Sequence, residues 1–426
     1  MSIINVNQSL KYHEGSQRVY DEDTTLEKTK SQLKKIGVTR IADITHLDRV
    51  GIPVYSAIRP CAAKGAISVY SGKGVTSTQA RISAMMEGFE RCLAEKKDMN
   101  NNIQEDIPGD EFVDSFDNIK ETYYIVNPAK LLISEDVRTD DMIEWTSGWD
   151  LINDNEIYVP SNSVYHPYDA TNQCVKLFRS NTNGLAAGNV IEEAVLHGLL
   201  EVTERDALSI AEMNRNPGKR LMLDEDDGIS YELMQKFNDA GINVRLWVPY
   251  HDTEITTVVA SVDDAQLKDP AMLVMGAGAH LNPEIATIRA LNEVAQSRVV
   301  QIHGAREDTE RDKFVRNIGY ERMKRMNGFW YKDEDIDTTT LKDLNDLSRN
   351  SPAENINTVI DQLKNLVDNV VVVNLSRESV NIPVVRVIIP TFEMYTLDRE
   401  RVGKRKNIAL KKIRRKGEKT WNHKRV

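Results

Sequence analysis

A stretch with opposed acidic and apolar faces, running from Asn189 to Ala207, constrains this chain more than any other segment. At 100° per residue of a helix, four polar side chains fall within roughly 80° of one another: Glu193, His197, Glu201 and Glu204. The opposite side of the helix carries three apolar residues, Val195, Leu199 and Val202. Carboxylates clustered at helical spacing repel one another by about 0.2–0.5 kcal/mol per pair. A hard divalent cation such as Mg²⁺ would offset that repulsion, and a solvated acidic face is the alternative.

The same polar pattern recurs in two further segments that read as amphipathic helices. Thr78–Glu95 and the helix above both contain E-x-x-E-R, at Glu87–Arg91 and at Glu201–Arg205. The segment from Glu284 to Arg298 carries Arg289, Glu293 and Gln296 on one face. Three helices with one arrangement of polar side chains are poorly explained as three independent solvated faces.

Each of these helices follows a glycine-bearing stretch, which we interpret as a turn. The three stretches are Ser71–Gly74, Gly184–Gly188 and Gly276–Gly278. Glycine permits positive φ and a close approach of the backbone to a ligand, and a helix N-terminus after such a turn favours anions. The pattern therefore predicts an anionic ligand bridged to the carboxylates by a metal.

Composition restricts the class of protein. The chain has 426 residues, of which 40% are hydrophobic and 28% charged, as in soluble globular proteins. No apolar run approaches the roughly 20 residues that cross a bilayer, and no signal peptide is visible at the N-terminus. A sparse, odd number of cysteines, 3, is typical of a reducing compartment. We expect a cytoplasmic protein with no membrane contact.

The order of predicted elements indicates an α+β fold with mixed or antiparallel sheets, because strands and helices do not alternate regularly enough for a doubly wound parallel sheet. We divide the chain into an N-terminal region (1–60), a catalytic domain (61–395) and a basic C-terminal tail (396–426). From Arg399 onward, Lys and Arg outnumber the two acidic residues, Glu400 and Glu418. This tail is expected to be either poorly anchored or a helix that folds on a partner. The rest of the chain is acidic, so we do not expect it to bind nucleic acid.

Familiar motifs for nucleotide binding, and those for zinc and redox sites, are missing from the sequence. Neither G-x-x-x-x-G-K-[ST] nor a G-x-G-x-x-G that links a strand to a helix occurs, and there is no H-E-x-x-H or C-x-x-C. A nucleotide would therefore have to bind through carboxylates and a metal.

The segments above resemble the YcaO family. The resemblance rests on SGKGVTSTQARISAMMEGFER, NTNGLAAGNVIEEAVLHGLLEVTERDA and GAGAHLNPEIATIRALNEVAQSR, in the family's order. It implies a YcaO-type fold whose amphipathic helices form a glutamate-lined site for ATP and Mg²⁺. It also implies phosphorylation of a peptide-backbone amide at its carbonyl oxygen. A side chain or sulfide then attacks the amide carbon, giving an azoline or a thioamide.

The resemblance assigns roles residue by residue. Five side chains match metal ligands: Glu87, Glu90, Glu193, Glu201 and Glu204. Contacts to ATP are implied for Arg18, Thr25, Ser83, Asn189, His197, Arg205 and Arg289. Arg205 and Arg289 are the catalytic candidates, because a rigid guanidinium fork suits phosphate.

Structural alternatives accompany several of these assignments. Asn189 could be an ordinary helix N-cap, and the two arginines could form salt bridges to neighbouring helices. His197 stands where relatives often have Gln, so it could contact nucleotide or be a satisfied surface histidine. For Lys73 we expect exposure to water rather than contact with phosphate.

Finer similarity concerns the reaction. Azoline-forming members often end in P-x-P-x-P, whereas the last prolines here are Pro383 and Pro390. This favours members that form thioamides with a separate TfuA partner. The stretches LDRVGIPVYSAIRP, IPVVRVIIP and DRERVGKR are most similar to members that thioamidate a glycine in the α subunit of methyl-coenzyme M reductase. We therefore expect that protein as substrate, a sulfide source, a TfuA-like partner and a homodimer. An azoline-forming cyclodehydratase and a non-catalytic nucleotide-binding accessory protein remain the alternatives.

Overall fold

The computed structural model describes residues 6–13, 17–96, 109–133, 136–171, 173–304, 310–334 and 336–413. The helices are α1 (Glu22–Gln32), α2 (Ser77–Leu93), α3 (Phe116–Ile119), α4 (Ile191–Asn214), α5 (Gly228–Asp239), α6 (Pro283–His303), α7 (Glu310–Ile318), α8 (Tyr320–Met326) and α9 (Pro352–Leu363). The strands are β1 (Arg40–Asp43), β2 (Val54–Ile58), β3 (Val69–Lys73), β4 (Glu111–Ser115), β5 (Met142–Asp150), β6 (Asn155–Pro160), β7 (Leu185–Ala187), β8 (Lys219–Met222), β9 (Asn243–Val248), β10 (Thr256–Asp263), β11 (Met275–His280), β12 (Thr338–Thr340), β13 (Val371–Asn374) and β14 (Val384–Ile388).

The described strands form three sheets. Their orders are β1-β2-β3, β11-β10-β9-β8-β12 and β4-β5-β13-β14-β7, with β6 on the other side of β5. Neighbouring strands run antiparallel, except for the parallel pair β8 and β12. The predicted α+β class with mixed or antiparallel sheets is confirmed.

Each sheet ends in an edge strand that is followed along the chain by one of the three amphipathic helices. The edge strands are β3, β7 and β11, and α2, α4 and α6 follow them in that order. Every helix packs on the strand that precedes it and also on the edge strand of another sheet, namely α2 on β7, α4 on β11 and α6 on β3. The three strand–helix units therefore close into a ring.

The glycine stretches are strands rather than the turns we predicted. Gly72 lies in β3, and Gly276 and Gly278 lie in β11. A Cβ at Gly72 would lie 1.9 Å from the backbone nitrogen of Ala84, and one at Gly276 would lie 2.3 Å from that of Val294. The glycines bring each edge strand close to its helix backbone rather than to a ligand. Positive φ is confirmed at Gly184, just before β7, where φ is +76°.

Helix α4 has an apolar face and an acidic face, as its periodicity predicted, although it begins at Ile191 rather than Asn189. Val195, Leu199 and Val202 are buried in a cluster with Val385 and Val387 of β14. Burying a Val or Leu side chain stabilises a fold by about 1.5–3 kcal/mol. The apolar face therefore fixes α4 on its sheet and turns the carboxylates the other way.

The proposed boundaries cut through interactions between elements. The pairing of β2 with β3 joins residues on either side of position 60. Within the tail, Arg401 and Arg405 are buried, and residues 405–413 are helical. The prediction of a poorly anchored tail is therefore wrong up to residue 413, and the tail beyond it lies outside the described residues.

Within the described ranges, no helix is both long and apolar enough to cross a membrane.

Candidate active site

A cleft with a volume of about 2010 Å³ opens where the three strand–helix units meet. All the side chains singled out from the sequence line this cleft: Arg18, Thr25, Ser83, Glu87, Glu90, Asn189, Glu193, His197, Glu201, Glu204, Arg205 and Arg289. Residues from four separate parts of the chain are thus brought together, as the helix patterns indicated.

Backbone N–H groups on the outer edges of the strands hold several of the carboxylates. Ala187 of β7 donates to Glu90 Oε1 at 2.9 Å, and Ala279 of β11 donates to Glu204 Oε2 at 3.0 Å. Ala277, two residues earlier on β11, donates to Glu293 Oε1 at 3.3 Å. N–H groups two residues apart on a strand point the same way. The edges of two sheets therefore position carboxylates of all three helices.

Glu193 ties the N-terminal segment to the start of α4. Its Oε1 accepts from the backbone N–H of Val19 at 2.6 Å, and its Oε2 accepts from that of Asn189 at 3.0 Å. Lys28 of α1 donates to the carbonyl of Asn189 at 2.7 Å. These contacts bring Arg18 and the buried Thr25 to the cleft wall.

The carboxylates lie in an environment that disfavours negative charge. Burial, together with the nearby Glu87, raises the pKa of Glu90 well above its ordinary value. Burial and Glu293 raise the pKa of Glu204. Burial also raises the pKa of Glu201 to about 7, although Arg205 partly opposes it. The positively charged side chains nearby do not fully stabilise these three carboxylates in their ionised form, and an added cation would do so.

Glu293 contrasts with its neighbours. Burial alone would raise its pKa, but Lys73 and Arg205 outweigh burial and lower the pKa to about 2. Lys73 Nζ lies 2.5 Å from Glu293 Oε2. Our expectation that Lys73 faces water is therefore wrong, because this amine bridges β3 to α6 inside the cleft.

The two candidate arginines retain unused donors. Nε of Arg205 lies 3.8 Å from Glu204 Oε1, too far for a hydrogen bond. The buried Nε atoms of Arg205 and Arg289 lack a hydrogen-bond partner among the described residues. Salt bridging alone does not account for either side chain, and both can still donate to an anion in the cleft.

The structure describes the surroundings of His197 and excludes one alternative for Asn189. His197 is half-buried, and burial followed by the charge of Arg289 lowers its pKa well below the ordinary value. Helix α4 has Val190 at its N-cap position, so Asn189 is not the cap. The Oδ1 atom of Asn189 is buried and has no partner in the described part of the chain. An orphaned oxygen on a cleft wall fits a ligand.

A metal ion in this cleft would need oxygen ligands from a bound molecule as well as from the protein. Among the described residues, no group of three or more His, Cys, Asp or Glu side chains can hold an ion unaided. Mg²⁺ commonly binds one or two carboxylates together with the phosphates of a nucleotide. The donor set therefore fits Mg²⁺ when phosphate oxygens complete its coordination.

Sequence reasoning left out two residues that the structure places in the site. Glu293 was noted on the third helix but was not predicted to bind metal, although it stands one turn after Arg289 and lines the cleft. Gln296 Nε2 donates to the carbonyl of Ser71 on β3. The i, i+4, i+7 spacing of Arg289, Glu293 and Gln296 carried the information to include both.

The chain is similar to a known protein family and to a solved structure. Residues 71–393 match the family model described as YcaO cyclodehydratase, ATP- and Mg²⁺-binding. The structure of YcaO from Methanopyrus kandleri bound with AMPPCP and Mg²⁺ is 31% identical, covers 91% of this chain and 95% of that one, and has a TM-score of 0.72. The family model names ATP and Mg²⁺, and the solved structure contains Mg²⁺ with AMPPCP.

Two further relatives extend along most of the chain. An uncharacterized protein of Methanothermobacter thermautotrophicus is 48% identical over 383 residues, which are 89% of this chain and 96% of that protein. An uncharacterized protein in the tfuA 3′ region of Rhizobium leguminosarum bv. trifolii is 30% identical over 312 residues, which are 70% and 69% of the two chains. Because the family model matches residues 71–393 and the relatives extend along most of the chain, this chain belongs to the YcaO family.

Proposed function

We propose that this protein uses ATP and Mg²⁺ to phosphorylate the carbonyl oxygen of a peptide-backbone amide, and that sulfide then converts this amide into a thioamide. The convergence of Glu87, Glu90, Glu201 and Glu204 with Arg205 on one cleft carries the proposal. An amide oxygen leaves poorly, and phosphorylation turns it into a good leaving group. Phosphoryl transfer depends mainly on positioning and charge neutralisation, which is what these side chains offer.

Each group has a role that follows from its position. Glu87, Glu90, Glu193, Glu201 and Glu204 would hold Mg²⁺ against the phosphates. Mg²⁺, when bound, supplies the positive charge that stabilises the transferring phosphoryl group.

The remaining groups would bind and orient the nucleotide. Arg205 and Arg289, with donors to spare, would hold the transferring group. Asn189 and Ser83 would contact the nucleotide beside them, and Arg18 and Thr25 would contact it from the N-terminal side.

The bonds balance without a further reactant. The amide oxygen bonds to the γ-phosphorus and ADP leaves with the electrons of the broken bond. Hydrosulfide adds to the activated carbon, phosphate leaves with the former amide oxygen, and the proton released from sulfur passes to solvent. No oxidant or reductant is consumed.

We further propose the α subunit of methyl-coenzyme M reductase as substrate and a glycine as its target. The similarity of LDRVGIPVYSAIRP, IPVVRVIIP and DRERVGKR to members that act on this subunit supports this substrate. The position of the Rhizobium relative in the tfuA 3′ region supports a TfuA-like partner. The sparse, odd number of cysteines, 3, supports a cytoplasmic location.

Intact mass of the treated substrate tests the reaction. Protein, ATP, Mg²⁺ and sulfide are incubated with the substrate, and a gain equal to sulfur replacing oxygen is expected. The variant Glu201→Gln should abolish this gain and ATP turnover while remaining folded. Glu232→Gln, at an exposed position of α5, is the matched control and should be fully active.

The description of the family as cyclodehydratase favours azoline formation as the second candidate. That reaction needs Cys, Ser or Thr in the substrate and subtracts one water from its mass. An unchanged mass with both kinds of substrate would leave the accessory-protein alternative and overturn the proposal.

A further inference from the structure

The cleft continues beyond Arg205 into an apolar arm. The arm is formed by side chains from the β11 region, α7, α8 and the segments after α8 and β14: Leu273, Met275, Phe314, Met326, Trp330 and Leu397. Charged side chains of Glu212, Arg215 and Arg399 line the same cleft. None of these residues has a role in binding ATP or metal in the function proposed above. The arm joins the carboxylate-lined part without a wall between them, since one cleft includes both.

The floor of the apolar arm is rigid. Trp330 is buried, and its carbonyl accepts from Trp247 Nε1 at 3.1 Å and from Ser261 Oγ at 2.9 Å. The ring of Phe329 packs on Trp330 with centroids 4.9 Å apart. Arg215 lies over Phe329 at 5.0 Å and donates to the carbonyl of Met326 at 2.7 Å. A preformed apolar surface binds a ligand without first being ordered.

Three large apolar side chains of the arm are exposed to solvent. Phe314 is 66% exposed, Met326 50% and Leu397 42%. Three large apolar side chains left in water around one opening are typical of a binding surface rather than of an ordinary protein exterior.

The size of the cleft indicates a second occupant. Sites for one small molecule commonly enclose about 300–1,000 Å³, whereas this cleft measures about 2010 Å³. A nucleotide held by the carboxylates leaves the apolar arm empty. Transfer of a phosphoryl group also requires the acceptor to be held next to the donor.

We propose that the apolar arm binds the peptide substrate through a bulky apolar side chain next to the amide that is activated. This inference rests on the proposed function and adds to it the character of the residues that flank the target. The phosphates and the metal have their proposed partners among the glutamates and arginines, and the peptide is the reactant that suits large apolar side chains.

The experiment compares two fluorescein-labelled synthetic peptides with a central glycine, one flanked by Phe and Leu and the other by Ser. The wild-type protein with AMPPCP and Mg²⁺ should bind the apolar peptide about tenfold or more tightly. Met326→Glu and Phe314→Asp should remove that preference and leave the affinity for AMPPCP unchanged. Met222→Glu is the control, because Met222 is also 50% exposed and does not line the cleft.

Equal binding of the two peptides by the wild-type protein would overturn the inference, and so would an unchanged preference in Met326→Glu. If a TfuA-like protein binds the wild type but not Met326→Glu, and neither peptide is preferred, the arm belongs to that partner and the inference is wrong. If the apolar preference is lost only in the arm variants while no mass change occurs with any substrate, the proposed reaction fails and the peptide site stands.

Discussion

Arg289 of α6 donates from both terminal nitrogens to Nδ1 of His197 on α4, at 3.3 and 3.2 Å. A guanidinium has donors only, so Nδ1 must be the accepting nitrogen, and the neutral ring carries its proton on Nε2. The lowered pKa of His197 agrees with this assignment. A histidine on one helix thus fixes the direction of an arginine on another.

Replacing His197 tests this relationship. Gln can present an acceptor to Arg289, so His197→Gln should retain most of the ATP turnover. His197→Leu leaves half-buried donors of Arg289 unpaired, at a cost of about 1 kcal/mol or more, and kcat/KM for ATP should fall about tenfold. Steady-state ATP hydrolysis and thermal melting measure both effects, and equal activity of the two variants would contradict the role of His197.

Magnesium affinity should depend on pH. In the metal-free protein, burial raises the pKa of Glu90, of Glu204 and, to about 7, of Glu201. Protons occupy these carboxylates below their pKa values and must leave when metal binds. Affinity for Mg²⁺ with AMPPCP should therefore rise between about pH 6 and pH 8 and then level off. Calorimetry in buffers of different ionisation enthalpy measures the released protons, and zero release at pH 6 would refute the expectation.

The same shifts set the pH dependence of stability without metal. A carboxyl whose folded-state pKa is raised binds more protons when folded, so its contribution is lost as pH rises from its unfolded value. The melting temperature of the metal-free protein should fall between about pH 5 and pH 8. Saturating Mg²⁺ and AMPPCP should restore it, and failure to do so would argue against metal between these carboxylates.

Gly72→Ala should separate α2 from β3. The added Cβ would lie 1.9 Å from the nitrogen of Ala84 and 2.4 Å from the carbonyl oxygen of Ala80, so the helix must move. Overpacking of this kind costs about 1–3 kcal/mol or more, and ATP turnover should fall because α2 carries Glu87 and Glu90. Gly328→Ala is the control, since no atom lies within 4 Å of its Cβ position. Denaturant titration of both variants decides, and equal midpoints would show that the close approach is not needed.

Arg405→Met should destabilise the protein through Asp206. Asp206 is fully buried next to Arg205, and Arg405 Nε lies 3.0 Å from both of its carboxylate oxygens. Removing one partner of a buried ion pair costs about 3–5 kcal/mol. Adding Asp206→Asn should recover part of this loss. The exposed pair of Arg138 and Asp140 supplies the control Arg138→Met, which should change the free energy of unfolding by less than about 1 kcal/mol.

These contacts also decide where the tail can be cut. Lys412 Nζ lies 2.7 Å from Asp252, whose carboxylate also faces Arg405. A deletion from Lys404 onward would therefore remove buried structure as well as basic charge. A deletion after Ile413 would remove basic residues and leave these contacts of Arg405 and Lys412 in place.

Helical periodicity predicted the polar faces of α2, α4 and α6 because spacing along one helix determines which side chains share a face. The partners of those faces depend on folding of distant segments. Glu90 and Ala187 are 97 residues apart, and nothing local indicates which N–H will meet which carboxylate. The Lys73–Glu293 pair was missed for the same reason.

The glycines were misread because two different requirements select the same residue. A tight turn and a close approach between helix and strand both favour a missing side chain. The sequence of β11, Met-Gly-Ala-Gly-Ala-His, has no β-branched residue and little intrinsic preference for a strand. Packing against α6 imposes the extended conformation there.

The strands β3, β7 and β11 all line the cleft. A ligand bound there would therefore connect the three strand–helix units. A nucleotide and its metals would touch all three strand–helix units, so loss of the ligand would loosen the contacts between these units rather than one loop. Resistance to proteolysis, measured at sites far from the cleft, should then report how fully the protein is loaded.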